Sequence, residues 1–190
     1  MGIFEERDPI LHPEAKGVHR SQRTGRFWYG IMQKAMLLTP ADYRALIGEG
    51  GAEKYTNKIT AFILDRSDDK LAALKKVSKV LAMDYNFAAT ETEDRLAPLE
   101  KRIAPSVADW LKAMYYADFI FTDSFHGCVF SILFNKPFVL YVNRNRGVAR
   151  FESLLKLFKI ENRTLSDSNG LESCPIRQSI DWKPINAKLE

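Results

Sequence analysis

Residues 122–127, with the sequence TDSFHG, place a histidine just after an apolar run that predicts a buried strand. An imidazole gains or loses a proton near neutral pH, so His126 is a candidate general acid or base. Gly127 would allow a tight turn into the next apolar segment, a predicted buried helix, and the amides and dipole of such a helix start favour an anion. A helix-capping role for His126 is equally consistent with the pattern. Asp123 and Ser124 are also capping candidates, and for Asp123 we favour that role.

A second polar segment, residues 143–150, follows the next predicted strand and carries Arg144, Arg146 and Arg150. The guanidinium fork suits phosphate and carboxylate oxygens better than the point charge of lysine does. Arg144 and Arg146 could instead be solvated loop charges. Arg150 opens a predicted helix, where a cation opposes the dipole, and this favours an anionic partner for it. Ligands of parallel α/β sheets bind beyond the carboxyl ends of the strands, so both segments predict a site that binds a small anion and offers it a proton.

Other chemistries find less support in the sequence. Cys128 lies two positions after His126, a spacing that does not place side chains on one helix face, and its apolar surroundings predict a buried structural thiol. The three histidines and two cysteines have no metal-ligand spacing, so we predict no metal. The chain also has neither a Gly-rich dinucleotide fingerprint nor a phosphate-loop lysine motif, and we predict no bound cofactor.

The elements that would position these residues alternate between strand and helix. Strands are predicted at 59–64, 86–90, 119–122 and 138–142, and helices at 40–47, 68–83, 106–117, 128–134 and 148–158. This order predicts an α/β fold, a Rossmann-like parallel sheet with helices on both faces. In the helix at 68–83 the apolar residues form one stripe, while Lys70, Lys75, Lys76 and Lys79 lie mostly on other faces, which predicts a solvated lysine surface.

Length and composition describe a globular protein. The chain has 190 residues, of which 46% are hydrophobic. Residues 1–38 are polar, basic and interrupted by Gly and Pro, which predicts an arm or connecting segment, and residues 39–190 predict a single α/β domain. Two cysteines are too few for a secreted disulfide framework, and neither a signal peptide nor an apolar run long enough to span a bilayer is present. We therefore expect a cytoplasmic location, with association at a membrane surface left open.

The net charge of +4 is unevenly distributed along the chain. Residues 136–163 contain seven basic and two acidic side chains, and this window flanks the strand end that carries His126. A nucleic-acid interface would need a broader basic face with interleaved aromatic residues. The charge therefore favours a small-molecule anion as partner, and we do not expect nucleic acid.

Four stretches of the chain resemble the polysaccharide pyruvyl transferase family. They are 117–127 (ADFIFTDSFHG), 131–138 (SILFNKPF), 146–151 (RGVARF) and, upstream, 106–111 (SVADWL). The similarity extends from about residue 39 to residue 185 and is most specific over 106–163. This resemblance implies a two-domain glycosyltransferase-B-like architecture, of which the chain would be the C-terminal, donor-binding half.

The resemblance also implies a reaction: transfer of pyruvate from phosphoenolpyruvate to sugar hydroxyls as a ketal, without a metal ion. By position, His126 matches the family's proposed general acid, Gly127 the glycine that follows it, and Arg150 an arginine that binds the donor. Many members carry a donor-binding arginine where this chain has Ser124. Ser124 can hydrogen-bond an oxyanion of the donor but cannot neutralise it, so we expect Ser124, Gly127 and Arg150 to bind the donor with Arg146 substituting for the missing charge. The implied partners are the small-molecule donor, a sugar or lipid-linked oligosaccharide acceptor, and either an N-terminal domain or a second copy of the chain.

Two alternatives remain open at this stage. A nucleotide-sugar glycosyltransferase of the same architecture would use the same arginines for a diphosphate, although no acidic residue stands at an evident spacing to hold the ribose. A non-catalytic half-enzyme would act as a binding module, for which the length of the chain and Ser124 both argue.

Overall fold

A computed structural model describes residues 39–89, 96, 98–142 and 148–189. The helices are α1 (Pro40–Ile47), α2 (Asp68–Leu81), α3 (Leu99–Arg102), α4 (Val107–Tyr116), α5 (Phe125–Leu133), α6 (Val148–Phe158) and α7 (Lys183–Asn186). The strands are β1 (Lys58–Phe62), β2 (Asp84–Phe87), β3 (Phe119–Thr122), β4 (Phe138–Tyr141) and β5 (Thr164–Leu165). Short 3₁₀ turns cover Ala52–Lys54, Glu161–Arg163 and Gly170–Ser173.

The five strands form one parallel sheet in the order β2-β1-β3-β4-β5. β1 is followed in the chain by its neighbour on one side, β2, and the chain then crosses back to place β3 on the other side of β1. The pairing of β1 with β3 aligns Ile59 with Phe119 and Phe62 with Thr122. The carboxyl ends of these two central strands therefore lie side by side.

Each face of the sheet packs against its own layer. On one face, Ile59, Phe121 and Val139 from three strands contact α2 and the segment 170–176. On the other face, alternate residues of the same strands, such as Ile120 and Leu140, contact α1, α4, α5, α6 and α7. β3 and β4 are buried along their whole length, as expected for central strands of a sheet covered on both sides.

Side-chain caps fix where three helices begin. Thr39 and Asp42 form a reciprocal capping box at the start of α1. The side chains of Ser67 and Ser106 accept hydrogen bonds from backbone amides in the first turns of α2 and α4. Each cap satisfies an amide that has no partner within the helix, so the starts of these helices are set by local sequence.

The predicted fold class is confirmed: the sheet is parallel, and helices cover both faces. Several details differ from the sequence-based boundaries. β1 and β2 cover 58–62 and 84–87 instead of 59–64 and 86–90, α2 ends at 81 instead of 83, and α3 was not predicted. β5 is only two residues long, and no strand was predicted there. α5 begins at Phe125 instead of Cys128, so His126 lies inside the helix. The arm predicted at 1–38 lies outside the described residues. No helix in the described part of the chain has both the length and the apolar character needed to cross a membrane.

Candidate functional site at the ends of the central strands

A crevice is expected where β1 and β3 end, because the helices that follow these neighbouring strands lie on opposite faces. The helix after β1, α2, packs on one face, and the helix after β3, α5, packs on the other. Such a switch point leaves space beyond the carboxyl ends of the two strands, and ligands of open α/β sheets bind there. The loop 63–67 and the junction 123–125 border this crevice.

His126 is the second residue of α5 and is exposed to solvent at this edge. Ser124 occupies the N-cap position, as expected, but its side chain makes no capping hydrogen bond, and the residue is only 2% exposed. Its amide donates to Thr122 Oγ1 over 3.0 Å. The first turn of a helix carries amides without intrahelical acceptors at the positive end of the dipole. The exposed imidazole therefore stands where an anion is favoured.

Gly127 is needed for space and not, as the sequence suggested, for a turn. Its φ is not positive, and it lies within α5. A Cβ at this position would lie 2.9 Å from Thr122 Cβ and 3.1 Å from Phe62 Cδ1, and closer still to Thr122 Oγ1. Thr122 is itself fixed, because its hydroxyl donates to Phe62 O over 2.7 Å. The absent side chain lets the first turn of α5 lie directly against the ends of β1 and β3.

Arg150 lies against the ring of Phe125, the residue that precedes His126. Its guanidinium carbon lies 5.2 Å from the centroid of the Phe125 ring and 5.4 Å from that of Phe151. The ring of Phe125 is 6.4 Å from the imidazole of His126. Phe125 thus has the exposed arginine and the exposed histidine as neighbours. The other proposed donor ligand, Arg146, lies outside the described residues.

Asp123 does not cap α5, contrary to the expectation from sequence. Its carboxylate accepts from Leu64 N over 2.7 Å and from Asp65 N over 3.3 Å, in the loop that follows β1. It also forms an ion pair of 2.6 Å with Lys70 Nζ. Lys70 was expected to be a solvated lysine and is instead buried. The amphipathic pattern of α2 failed here because the carboxylate that holds Lys70 is far away in sequence.

Arg66 is a candidate anion ligand that the sequence reasoning missed. It lies in the loop between β1 and α2, and its guanidinium carbon is 4.0 Å from the centroid of the Phe87 ring at the end of β2. The signal that selected residues 143–150, an arginine just after a predicted strand, would have found it too. Asp123 holds the backbone of the neighbouring Leu64 and Asp65, whereas the guanidinium of Arg66 lies over β2, on the side of β1 away from β3.

A second polar network extends the edge towards β4 and β5. Tyr141, the last residue of β4, donates to Asp69 in the first turn of α2, and Asp69 also accepts from Ser168 N over 2.9 Å. The hydrogen bonds from Ser168 and Tyr141 hold the pKa of Asp69 below its usual value. Burial, together with the hydrogen bond to Asp69, raises the pKa of Tyr141 to about 12. The phenol is therefore a hydrogen-bond donor throughout the physiological range.

Cys128 is buried against the sheet, as predicted for a structural thiol. Burial raises the pKa of this thiol far above its usual range, so it carries no thiolate at neutral pH. Within the described residues, no three His, Cys, Asp or Glu side chains come together to hold a metal ion. His126, in contrast, is exposed to solvent in the first turn of α5.

A separate groove of about 710 Å³ lies between α2 and the segment 168–178. Two of its cations are engaged with the backbone: Lys76 donates to Ser168 O over 2.9 Å, and Arg177 donates to Val80 O over 2.7 Å. These contacts connect α2 to the C-terminal segment. None of the described residues that line this groove is a histidine, so the crevice at β1 and β3 remains the candidate site for proton transfer.

Comparison with known proteins agrees with the family resemblance. A family model described as polysaccharide pyruvyl transferase matches residues 33–145, more than half of the chain. The matched range includes Asp123, Ser124, His126 and Gly127 and ends before Arg150. Searches of curated proteins and of solved structures returned no significant match. On the strength of the family model, the chain belongs to the polysaccharide pyruvyl transferase family.

Proposed function

We propose that this protein transfers the pyruvyl group of phosphoenolpyruvate to the hydroxyls of a sugar, with His126 as the general acid. Family membership implies a transferase that acts by pyruvyl transfer to a polysaccharide. The identity of the donor and the roles of individual residues go beyond what family membership implies. The observation that carries them is that Phe125, at the switch point of the sheet, has both residues as neighbours: its ring centroid is 5.2 Å from the guanidinium carbon of Arg150 and 6.4 Å from the imidazole of His126.

The donor has two anionic groups, a phosphate ester and a carboxylate, on the same carbon of a carbon–carbon double bond, and the other carbon of that bond is a methylene. Arg150 and the start of α5 supply positive charge beside His126, and Arg66 adds a second guanidinium further along the same edge of the sheet, over β2. Arginine suits both anions because its planar fork can donate two parallel hydrogen bonds. The arrangement supports binding the donor by its charged ends, with its methylene carbon towards the imidazole.

The proposed reaction begins with transfer of a proton from the imidazolium of His126 to the methylene carbon, which becomes a methyl group. The neighbouring carbon becomes electron-deficient, and a sugar hydroxyl adds to it and returns its proton to the imidazole. A second hydroxyl of the same sugar then displaces the phosphate, which leaves with that hydroxyl's proton. The products are a cyclic pyruvate ketal and inorganic phosphate, and the imidazolium is regenerated.

The test is an assay for phosphate release with phosphoenolpyruvate and a panel of free and lipid-linked oligosaccharides, with the ketal methyl group detected by NMR. His126→Gln should lower turnover by about 10²–10⁴-fold, the usual contribution of a positioned acid. Arg150→Ala should raise the KM for the donor by about 10-fold or more, because a charge-assisted hydrogen bond contributes about 1.5–3 kcal/mol. Lys75→Ala, at an exposed position of α2, is the control and should leave both unchanged.

Full turnover by His126→Gln would remove that residue from the mechanism. A thermal shift produced by nucleotide-diphosphate sugars and not by phosphoenolpyruvate would replace the proposed donor with a nucleotide sugar. Binding of neither donor would leave a non-catalytic binding module as the function.

A further inference from the structure

The buried ion pair between Lys70 and Asp123 occupies a position that neither the fold class nor the proposed proton transfer explains. Their charged atoms are 2.6 Å apart, and the side chains are 5% and 2% exposed. Taking two charges out of water is costly, and well-packed neutral residues often give a fold of equal or greater stability. Stability alone is therefore a poor reason for placing this pair under the crevice.

The pair closes a ring of contacts among three segments. Asp123 accepts from the amides of Leu64 and Asp65 at the end of β1, and Lys70 donates to Asp65 O over 2.7 Å from the first turn of α2. Asp123 itself lies between the end of β3 and the N-cap of α5. The Asp123 carboxylate thus connects three segments: the loop after β1, the start of α2 and the start of α5.

This ring fixes the separation of the two walls of the crevice. Arg66 follows Asp65 directly, on the wall formed by the β1 loop. His126 lies three residues after Asp123, on the wall formed by α5. A donor held by a charged end on one wall, with its methylene carbon at the imidazole of the other, tolerates little change in that distance, since a misplacement of about 1 Å can lower turnover by about 10²-fold.

We propose that Lys70 and Asp123 are positioning residues, which set the distance between the Arg66 loop and the His126 helix for the reaction proposed above. This inference rests on that proposed function. Both side chains are buried, so neither is exposed for contact with the donor. Their effect is expected on kcat, through the placement of the acid, and much less on the KM for the donor.

The test compares the wild-type protein with the double variant Lys70→Met/Asp123→Asn. Removing both charges avoids leaving one of them buried and unpaired, so this variant should fold, whereas each single charge removal is expected to lower the melting temperature more. The introduced carboxamide still offers an oxygen to Leu64 N, but the contacts of the ammonium group are lost. We expect kcat to fall by about 10²-fold while KM changes less than about 3-fold.

Arg163→Met is the matched control. Arg163 is also a buried cation, 3% exposed, and it donates to Pro175 O and Gln178 O over 2.7 and 2.6 Å in the C-terminal segment. Its loss should lower the melting temperature and leave kcat unchanged at a temperature where the variant is folded. If kcat falls as much in Arg163→Met as in the double variant, the loss of activity is explained by general destabilisation. That result would overturn the positioning role.

A second measurement separates this inference from the proposed function. In the wild type, the amides of Leu64 and Asp65 should exchange slowly with solvent, and in the double variant they should exchange faster while the imidazole resonances of His126 shift. If the wild type does not turn over phosphoenolpyruvate, the proposed function fails, and these NMR changes alone decide whether the pair positions His126. Unchanged imidazole resonances, or wild-type kcat in the double variant, would overturn the inference.

Discussion

Replacing Gly127 by alanine would place a methyl group where the ends of β1 and β3 meet the start of α5. The new Cβ would lie 2.9 Å from Thr122 Cβ and 3.1 Å from Phe62 Cδ1, whereas ordinary contact begins at 3.4 Å. α5 would have to move by about 0.5 Å for the first contact and further for Thr122 Oγ1. Overpacking of this kind lowers the free energy of unfolding by about 1–3 kcal/mol. We expect a value near the upper end, because Thr122 is held by hydrogen bonds and cannot easily move away.

Alanine also has a favourable effect here, because it is a better helix former than glycine by about 1 kcal/mol. The net expectation is a loss of about 2 kcal/mol in the free energy of unfolding, measured by urea denaturation followed by circular dichroism. Gly170→Ala is the control, since a Cβ there would meet nothing closer than 3.9 Å and its φ is not positive. That variant should be within about 0.5 kcal/mol of the wild type or slightly more stable.

A double-mutant cycle with Thr122→Ala tests the cause. Removing Thr122 Oγ1 and Cγ2 relieves the closest contact, so Gly127→Ala should cost at least about 1 kcal/mol less in that background than in the wild type. Equal costs in the two backgrounds, or an unfolding midpoint for Gly127→Ala equal to that of the wild type, would refute the packing of α5 against Thr122. The steric explanation for a glycine after His126 would then also be wrong.

Three further predictions concern the rest of the fold. The pKa of Tyr141 rises in the fold from its ordinary value of about 10 to about 12, so the stability it confers is complete below pH 10 and is lost as the pH rises through 12. The alkaline decrease in the free energy of unfolding should therefore be smaller in Tyr141→Phe than in the wild type, by no more than about 3 kcal/mol. Burial raises the pKa of Cys174 to about 11 and that of Cys128 further. Neither thiol should therefore react with Ellman's reagent within minutes in the native protein, whereas both should react in guanidinium. Rapid labelling of either thiol in the native protein would contradict their burial. Thr39→Ala removes a helix cap and should lower the free energy of unfolding by about 1 kcal/mol in urea titrations, and an unchanged midpoint would argue against the cap.

The parts of the fold that depend on local pattern were predictable from the sequence. The apolar stripe of α6 gave its limits, 148–158, without error. Thr39 and Ser106 marked helix starts because a cap acts within one turn. β5 was missed because two residues are too few to show a period, and their place in the sheet depends on pairing with β4.

The site was predictable only in part, because its key contacts join distant parts of the chain. His126 and Arg150 were selected as candidates because a strand end in a parallel sheet is a known position for ligands, and both are neighbours of Phe125 in the fold. Lys70 was misassigned because the helical pattern of α2 carries no information about a carboxylate that follows β3, 53 residues away. Asp123 was misassigned for the same reason: a local cap is the default for an acid before a helix, and its true partners lie in the loop after β1.

The pairing of β1 with β3 has a consequence for how the chain folds during synthesis. β1, α2 and β2 are consecutive and can assemble early. The other edge of β1 pairs with β3, which is synthesised about 60 residues later. At about 5–20 residues per second, that interval lasts roughly 3–12 s on the ribosome. Throughout it, the backbone of residues 59–62 and the apolar side chains around them present an unpaired strand edge, the kind of surface on which nascent chains associate. Translation that stops short of Thr122 would therefore leave an aggregation-prone fragment, whereas a chain that reaches it can close the centre of its sheet.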